Sequence, residues 1–390
     1  MRRRGTKRKA ANLQTMRRCR DANCKSANGP RQNGLDGGAR LAQSQDMGLQ
    51  IDLSAVQANW QALAQRSGKA RAAAVVKADA YGLGATRVAP ALYDAGARDF
   101  FVALAPEGRA IRPHLADDAR IFVLSGHMAG ADLTGLIPVL NSAEQFFRDR
   151  ALRPNRPFAI QLDSGMNRLG MEAGEWAALR TEALAAPNGT AKGPALVMSH
   201  LACADEISDE NARQLAAFRA MTDDIGDVPR SLSATGGILL GPDYAFDMTR
   251  PGVGLYGGLP FADAKPVVTL ALPVIQTRTV QPGEFVGYGA AWRADHPTRV
   301  ATVAAGYADG LLRSLSGKGA ILWAGDVACP IIGRVSMDLI TCDVSALADV
   351  PPALDILNAR QTVDALAARA GTIGYEILTS LGARYPREYA

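Results

Sequence analysis

Residues 72–77 read AAAVVK, and ADAYGLG follows through Gly84. A run that is apolar at consecutive rather than alternate positions marks a strand covered on both faces, as in a parallel sheet flanked by helices. Seven more such runs follow: FFVAL (100–104), IFVLSG (121–126), LIPVLN (136–141), FAIQLD (158–163), ALVMSH (195–200), SLSATG (231–236) and the segment into MTRPGVGLYG (248–257). Helical stretches alternate with them. One precedes the first run, in IDLSAVQANWQALAQRSG (51–68), where Leu53, Val56, Trp60 and Leu63 recur at helical spacing and Gly68 follows the end. About eight strand–helix units over roughly 220 residues predict a (β/α)8 TIM-type barrel, whose usual size is near 250 and whose chemistry sits at the strands' carboxyl ends. Lys77, Asp163, His200 and Thr235 fall at such ends. An open doubly wound sheet is the competing expectation, although no GxGxxG opens a helix here.

After about residue 270 the texture changes. VVTLALPVIQTRTV, EFVGYGAAW, TRVATVAAGYADG, GAILWAG and VACPIIGRVSMDLITCDV read as short strands divided by Gly, Pro and Asp turns. One late helix, VDALAARAG, sets Val363, Leu366, Ala367 and Ala370 on a face. The expected organisation is a leader over 1–46, a barrel over 47–270 and a mainly-β C-terminal domain over 271–390.

The chain of 390 residues is 48% hydrophobic and 21% charged, an ordinary globular balance. No stretch approaches the roughly 20 apolar residues of a membrane helix. The net charge of +5 comes from the leader, where twelve Lys/Arg face three Asp. Beyond it, 31 basic residues are outnumbered by 35 acidic ones, so the folded body carries no sign of nucleic-acid or membrane binding. The leader has few apolar residues and no secretory core, and disorder is expected. It is an over-long start with initiation near Met47, a solvated tail, or an RNA- or surface-binding arm. Five widely spaced cysteines without a CxxC, and four unclustered histidines, give no disulfide framework and no zinc ligand set. A soluble protein in a reducing cytoplasm is expected.

Taken alone, a lysine ending an apolar strand is more often a surface residue with a buried stem. Its functional alternative is a nucleophilic amine, because partial burial lowers the lysine pKa and frees the lone pair. Here AVVKADAYGLGA resembles the lysine segment of alanine racemases. The resemblance spans about 48–390 and recurs in order at QLDSGMNRLG, SHLACADE, RPGVGLYG, GYGAAW, GYADG, GRVSMD and GTIGYE.

That resemblance implies pyridoxal 5'-phosphate as cofactor, held covalently by Lys77, which is also the base on one face of the substrate. Tyr288 matches the tyrosine acting on the opposite face; one base removes the α-proton and the other returns it. The family tyrosine reaches into the other subunit's barrel, which implies a homodimer with shared active sites. By the same resemblance Tyr81, Tyr375 and Thr235 hydroxyls and the Gly252 and Val253 amides hold the phosphate, His200 lies beside the ring, and Arg250 faces the ring nitrogen. Arg168, Met337, Tyr307 and Asp338 match substrate-side positions, with Asp309 beside Tyr307. No metal is implied. Two departures stand out. Gln161 occupies a position where many members carry a carbamylated lysine, leaving Arg168 to be oriented by the Gln161 amide oxygen or an anion. Ala234 replaces an asparagine in the SAT segment. The implied reaction is interconversion of L- and D-alanine, for peptidoglycan or for catabolism. Racemisation of other or broader amino acids, a fold-related decarboxylase (against which Arg250 argues) and a non-catalytic cofactor carrier (which lacks a β domain) are the alternatives.

Overall fold

The computed structural model describes residues 48–185 and 193–390. The leader expected over 1–46 lies outside the described residues. Strand β1 (Gly48–Ile51) comes first, and then β2 (Arg71–Ala72), β3 (Ala74–Val75), β4 (Asp99–Val102), β5 (Arg120–Val123), β6 (Ile137–Leu140), β7 (Ala159–Gln161), β8 (Val197–Met198), β9 (Arg230–Ser231) and β10 (Met248–Thr249). Strands β3 to β9 pair in sequence order, each parallel to the next. β10 closes the ring. It pairs with β2, which runs into β3, and Ala73 N–H donates to Thr249 O at 2.8 Å. On its other side Asp247 N–H donates to Arg230 O at 3.0 Å and Arg250 N–H to Ser233 O at 2.8 Å. All eight runs read from the sequence occupy the eight positions of this barrel.

Continuous apolarity in these strands has the expected cause. Phe100, Phe101 and Val102 of β4 and Ile121, Phe122 and Val123 of β5 are all fully buried. Successive side chains point alternately to the barrel interior and to the helices, so both sets need apolar surroundings. The Phe101 and Phe122 rings stack at 4.7 Å between centroids. Helix Leu53–Arg66 starts at Asp52, whose side chain accepts from Ala55 N–H at 2.8 Å and satisfies one orphan donor of the first turn.

The C-terminal part is an antiparallel sheet organised by β11 (Val268–Val280), a strand of thirteen residues. Its first half pairs with Ala353–Leu357 and its second with Thr298–Val303, the register shifting between Val274 and Gln276. Strands Ile340–Asp343, Val327–Ile332 and Ile321–Ala324 connect those two, so six strands form a closed ring. β1 pairs antiparallel with β11 and parallel with the last strand, Arg387–Tyr389. Residues 48–51 therefore lie in the C-terminal sheet, although they precede the barrel in sequence. No helix among the described residues is long and apolar enough to cross a membrane.

Candidate active site

Lys77 follows β3 at the carboxyl end of the barrel and is half-buried. Directly after it, Ala78, Asp79, Ala80 and Tyr81 all have φ between 53° and 56°. Four non-glycine residues in the left-handed region cost about 1–2 kcal/mol each, so surrounding contacts must hold them. Ala80 N–H donates to Val76 O at 2.9 Å and Gly84 N–H to Asp79 O at 2.9 Å, while Asp79 Oδ1 accepts from Ala85 N–H at 2.7 Å. Glu107 adds a clamp from the next unit. Its Oε1 accepts from Ala78 N–H at 3.0 Å, and its Oε2 accepts from Ala103 and Leu104 N–H at 2.7 and 3.1 Å. The C-terminal strand fastens the exit, Arg387 Nε donating to Gly82 O at 2.9 Å and Tyr389 Oη to Leu83 O at 3.1 Å. Such a turn aims one side chain in a fixed direction.

Charges converge on the same place. Burial first, and the nearby Arg168 guanidinium next, pull Lys77 below the ordinary lysine value; Arg250 adds to this and Glu107 opposes it. His200 is pushed down to about 3 by burial and by the positive charges of Arg250, Arg168 and Lys77, so it is neutral near pH 7. Arg250 is 3% exposed. Its Nη2 donates to Ser199 O at 2.6 Å and to Leu232 O at 3.3 Å, and its Nη1 to the Ser231 hydroxyl. Burial lowers its pKa to about 9, which leaves it charged at neutral pH. Lys77, Arg168, His200 and Arg250 thus share one neighbourhood of net positive charge.

Beside it lies a group of hydroxyls. The Tyr81 ring is 4.8 Å from that of Tyr256 and 6.0 Å from that of Tyr375. Tyr256 Oη donates to Val75 O at 2.9 Å, which makes that ring a buttress. Burial raises both Tyr81 and Tyr375, the latter to about 12, so both remain protonated donors. A Cβ at Gly252 would stand 2.6 Å from Tyr81 Oη, so only glycine permits this approach. Gly252 and Gly254 N–H donate to Thr235 Oγ1 at 3.0 and 3.3 Å. Gly252 thus has a partner within the chain, and its neighbour Val253 is buried in a short 3-10 turn. Neutral hydroxyl donors beside fixed cations suit an anionic ligand such as one carrying a phosphate.

Other expected positions lie differently. Gln161 Nε2 donates to Leu169 O at 3.0 Å, tying down the exposed segment that carries Arg168 through its backbone. Ala234 forms a parallel bridge with Arg250. Tyr288, at 71% exposed, sits at the tip of the hairpin made by Phe285–Val286 and Trp292–Arg293. Tyr307 and Met337 are also exposed on the C-terminal part, where Tyr307 N–H donates to Ser336 O and Ala308 N–H to Met337 O, both at 3.0 Å. Asp338 Oδ1 accepts from Arg384 Nη1 and Nη2 at 2.8 and 2.9 Å. The chain thus brings Lys77, Tyr81, Arg168, His200, Thr235, Arg250, Gly252, Val253 and Tyr375 to one end of the barrel, and sets Tyr288, Tyr307, Met337 and Asp338 outward on the other body. Glu107 and Arg384 were absent from the sequence expectations; each reaches a partner distant in the chain, Glu107 to Ala78 and Arg384 to Asp338.

A parallel barrel built round one amine of reduced basicity, with an antiparallel domain appended, defines a lysine-centred cofactor enzyme of the barrel class. The alanine racemase N-terminal domain matches residues 51–260 and the alanine racemase C-terminal domain residues 267–389. An alanine racemase of Dinoroseobacter shibae is 60% identical over 351 residues, covering 88% of this chain and 97% of the relative. One of Cereibacter sphaeroides is 59% identical over 347 residues, covering 87% and 97%. The crystal structure of alanine racemase from Bartonella henselae with covalently bound pyridoxal phosphate superposes with a TM-score of 0.83 at 35% identity, over 88% of this chain and 99% of that one. The biosynthetic alanine racemase from Pseudomonas aeruginosa gives 0.80 at 35%, with the same coverage. The chain belongs to the alanine racemase family.

His200 yields a direct expectation for stability. In the unfolded chain it takes a proton below about pH 6.5, whereas the folded protein refuses it until about pH 3. The unfolded state binds more protons in that window, so stability falls as pH drops through it, by up to ~1.4 kcal/mol per pH unit for one proton. Denaturant unfolding between pH 7 and 4 should therefore show a shallower acid decline in His200→Gln than in the parent.

Proposed function

We propose that this chain interconverts L- and D-alanine by a two-base route, with pyridoxal 5'-phosphate held by Lys77. The observation carrying this reading is the half-buried Lys77 amine, lowered in basicity, beside Arg168, Arg250 and a neutral His200. When bound, the group withdraws electrons from an attached amino acid and makes its α-proton acidic. Lys77 Nζ would anchor it and, once freed from it, would take that proton on one face as the uncharged amine that burial favours, or return it as the ammonium. Arg250 Nη atoms are fixed by Ser199, Ser231 and Leu232, so the guanidinium would be held facing the ring nitrogen. Because it does not accept a proton, it limits charge build-up there and favours simple proton return. Tyr81, Tyr375 and Thr235 hydroxyls would hold the phosphate, with Gly252 and Val253 beside them. Arg168 meets the substrate carboxylate.

Tyr288 Oη supplies the opposite base. Its exposure on the C-terminal body, together with that of Tyr307, Met337 and Asp338, supports a homodimer in which each body completes the partner's barrel. A cytoplasmic location and a supply of D-alanine for peptidoglycan, or its catabolism, complete the reading. We also propose a barrel body over 47–270 and a β body over 271–390, with β1 as a strand lent to the latter. Purified protein with pyridoxal phosphate and L-alanine, followed by chiral chromatography, should yield D-alanine up to an equimolar mixture. Serine, lysine and arginine belong in the same assay; turnover of one of them with none of alanine would reject the substrate.

A further inference from the structure

We infer that Arg384 is a positioning residue for the site, clamping the loop that carries Tyr307 to the loop that carries Met337. The inference rests on the proposed place of those two side chains at the partner's barrel. Asp309 follows Tyr307 by two residues and is fully buried. Its Oδ2 accepts from Gly306 N–H at 2.9 Å, and its Oδ1 lies 2.9 Å from Arg384 Nε. The other two guanidinium nitrogens donate to Asp338 Oδ1, next to Met337. One planar cation therefore spans both loops, which also share the Tyr307–Ser336 and Ala308–Met337 backbone hydrogen bonds.

The segment bearing Arg384 is itself locked. Gly382 N–H donates to Asp309 O at 3.0 Å. A Cβ at Gly310 would lie on the Ser380 carbonyl, so the two segments meet backbone to backbone. Removing the guanidinium leaves the Asp309 carboxylate buried without its charge partner, in the same short 3-10 turn as Tyr307. The Asp338 contact is exposed, and exposed pairs add little stability. Its consequence is geometric: it sets where Met337 stands relative to Tyr307. An amide or a single ammonium does not reproduce the three-nitrogen fork.

The holoenzyme carrying Arg384→Gln, Asp338→Asn or both, with Arg384→Lys and Tyr307→Ala alongside, tests this. Arg384→Gln should lower kcat/KM for alanine about 10–100-fold, the scale of an ångström of misplacement, while cofactor absorbance stays that of the parent. Asp338→Asn should lower it too, the double variant should be no worse than Arg384→Gln alone, and Arg384→Lys should restore part of the loss. Parent-like kcat and KM in Arg384→Gln, with Tyr307→Ala impaired, would overturn the clamp. Multiplying effects of Arg384→Gln and Asp338→Asn would overturn it as well, because Asp338 would then act independently of Arg384. Parent-like Tyr307→Ala would instead remove the loop from the site and overturn the reading beneath. Should Arg384→Gln fail to fold, Asp338→Ala decides, since it removes the oxygen that holds the same guanidinium at the exposed end; parent-like kinetics there sink the clamp.

Discussion

Lys77→Ala is expected to fold normally, to bind no cofactor covalently and to lose racemisation by about 10⁴-fold or more. The size follows from two functions vanishing together: the covalent anchor and one of two proton-transfer groups, the latter alone worth about 10²–10⁴-fold. Folding should survive because the Lys77 side chain is only half-buried and the left-handed turn is held by the backbone partners of Val76, Asp79 and Glu107, none of which involves the amine. Borohydride reduction of the parent followed by peptide mapping should locate the pyridoxyl group on the peptide containing Lys77. The variant treated alike should carry none, and its visible absorbance should match free cofactor. An adduct mapped to another lysine would remove the anchor assignment and the proton-transfer role with it.

The barrel could be read from the chain because its strands are covered on both sides. Every position of Phe100–Val102 and Ile121–Val123 had to tolerate burial, and that leaves an unbroken apolar run. β1 left no such trace: four residues acquire a strand identity only by pairing with Val268–Ala271 and Arg387–Tyr389, both far along the chain. Closure of the second ring by one bent strand was equally silent, since VVTLALPVIQTRTV states its propensity but not its two partners. Within the site, Lys77, His200 and Thr235 stood out at the ends of apolar runs, whereas Tyr81 and Arg250 took their roles from the family resemblance. Glu107 and Arg384 did not, because a charged residue on a helix or near a chain end is ordinarily solvated. Their meaning lies in the backbone N–H groups and carboxylates that folding brings to them. The left-handed run at Ala78–Tyr81 contains no glycine, so no local signal announced it.

Tyr288→Phe should keep parent absorbance and cofactor affinity, because Tyr288 lies outside the Lys77 neighbourhood of its own chain, yet lose about 10²–10⁴-fold in turnover. Its failure should also be one-sided. With Lys77 intact, α-deuterated alanine of the enantiomer that presents its proton to Lys77 should exchange with solvent while little of the other enantiomer forms. The other deuterated enantiomer should keep its label. Subunit mixing then asks which Tyr288 serves which Lys77. If the site is shared, a hybrid of Lys77→Ala and Tyr288→Phe chains has one site with both defects and one with neither. Random reassociation makes half the dimers hybrid, and one of two sites works in each, so two inactive preparations should together recover about a quarter of parent activity. If each chain completes its own site, every site in the hybrid keeps one defect and mixing recovers nothing. That result, with hybrids demonstrated by mass, would place Tyr288 in its own subunit's chemistry and end the case for a shared site.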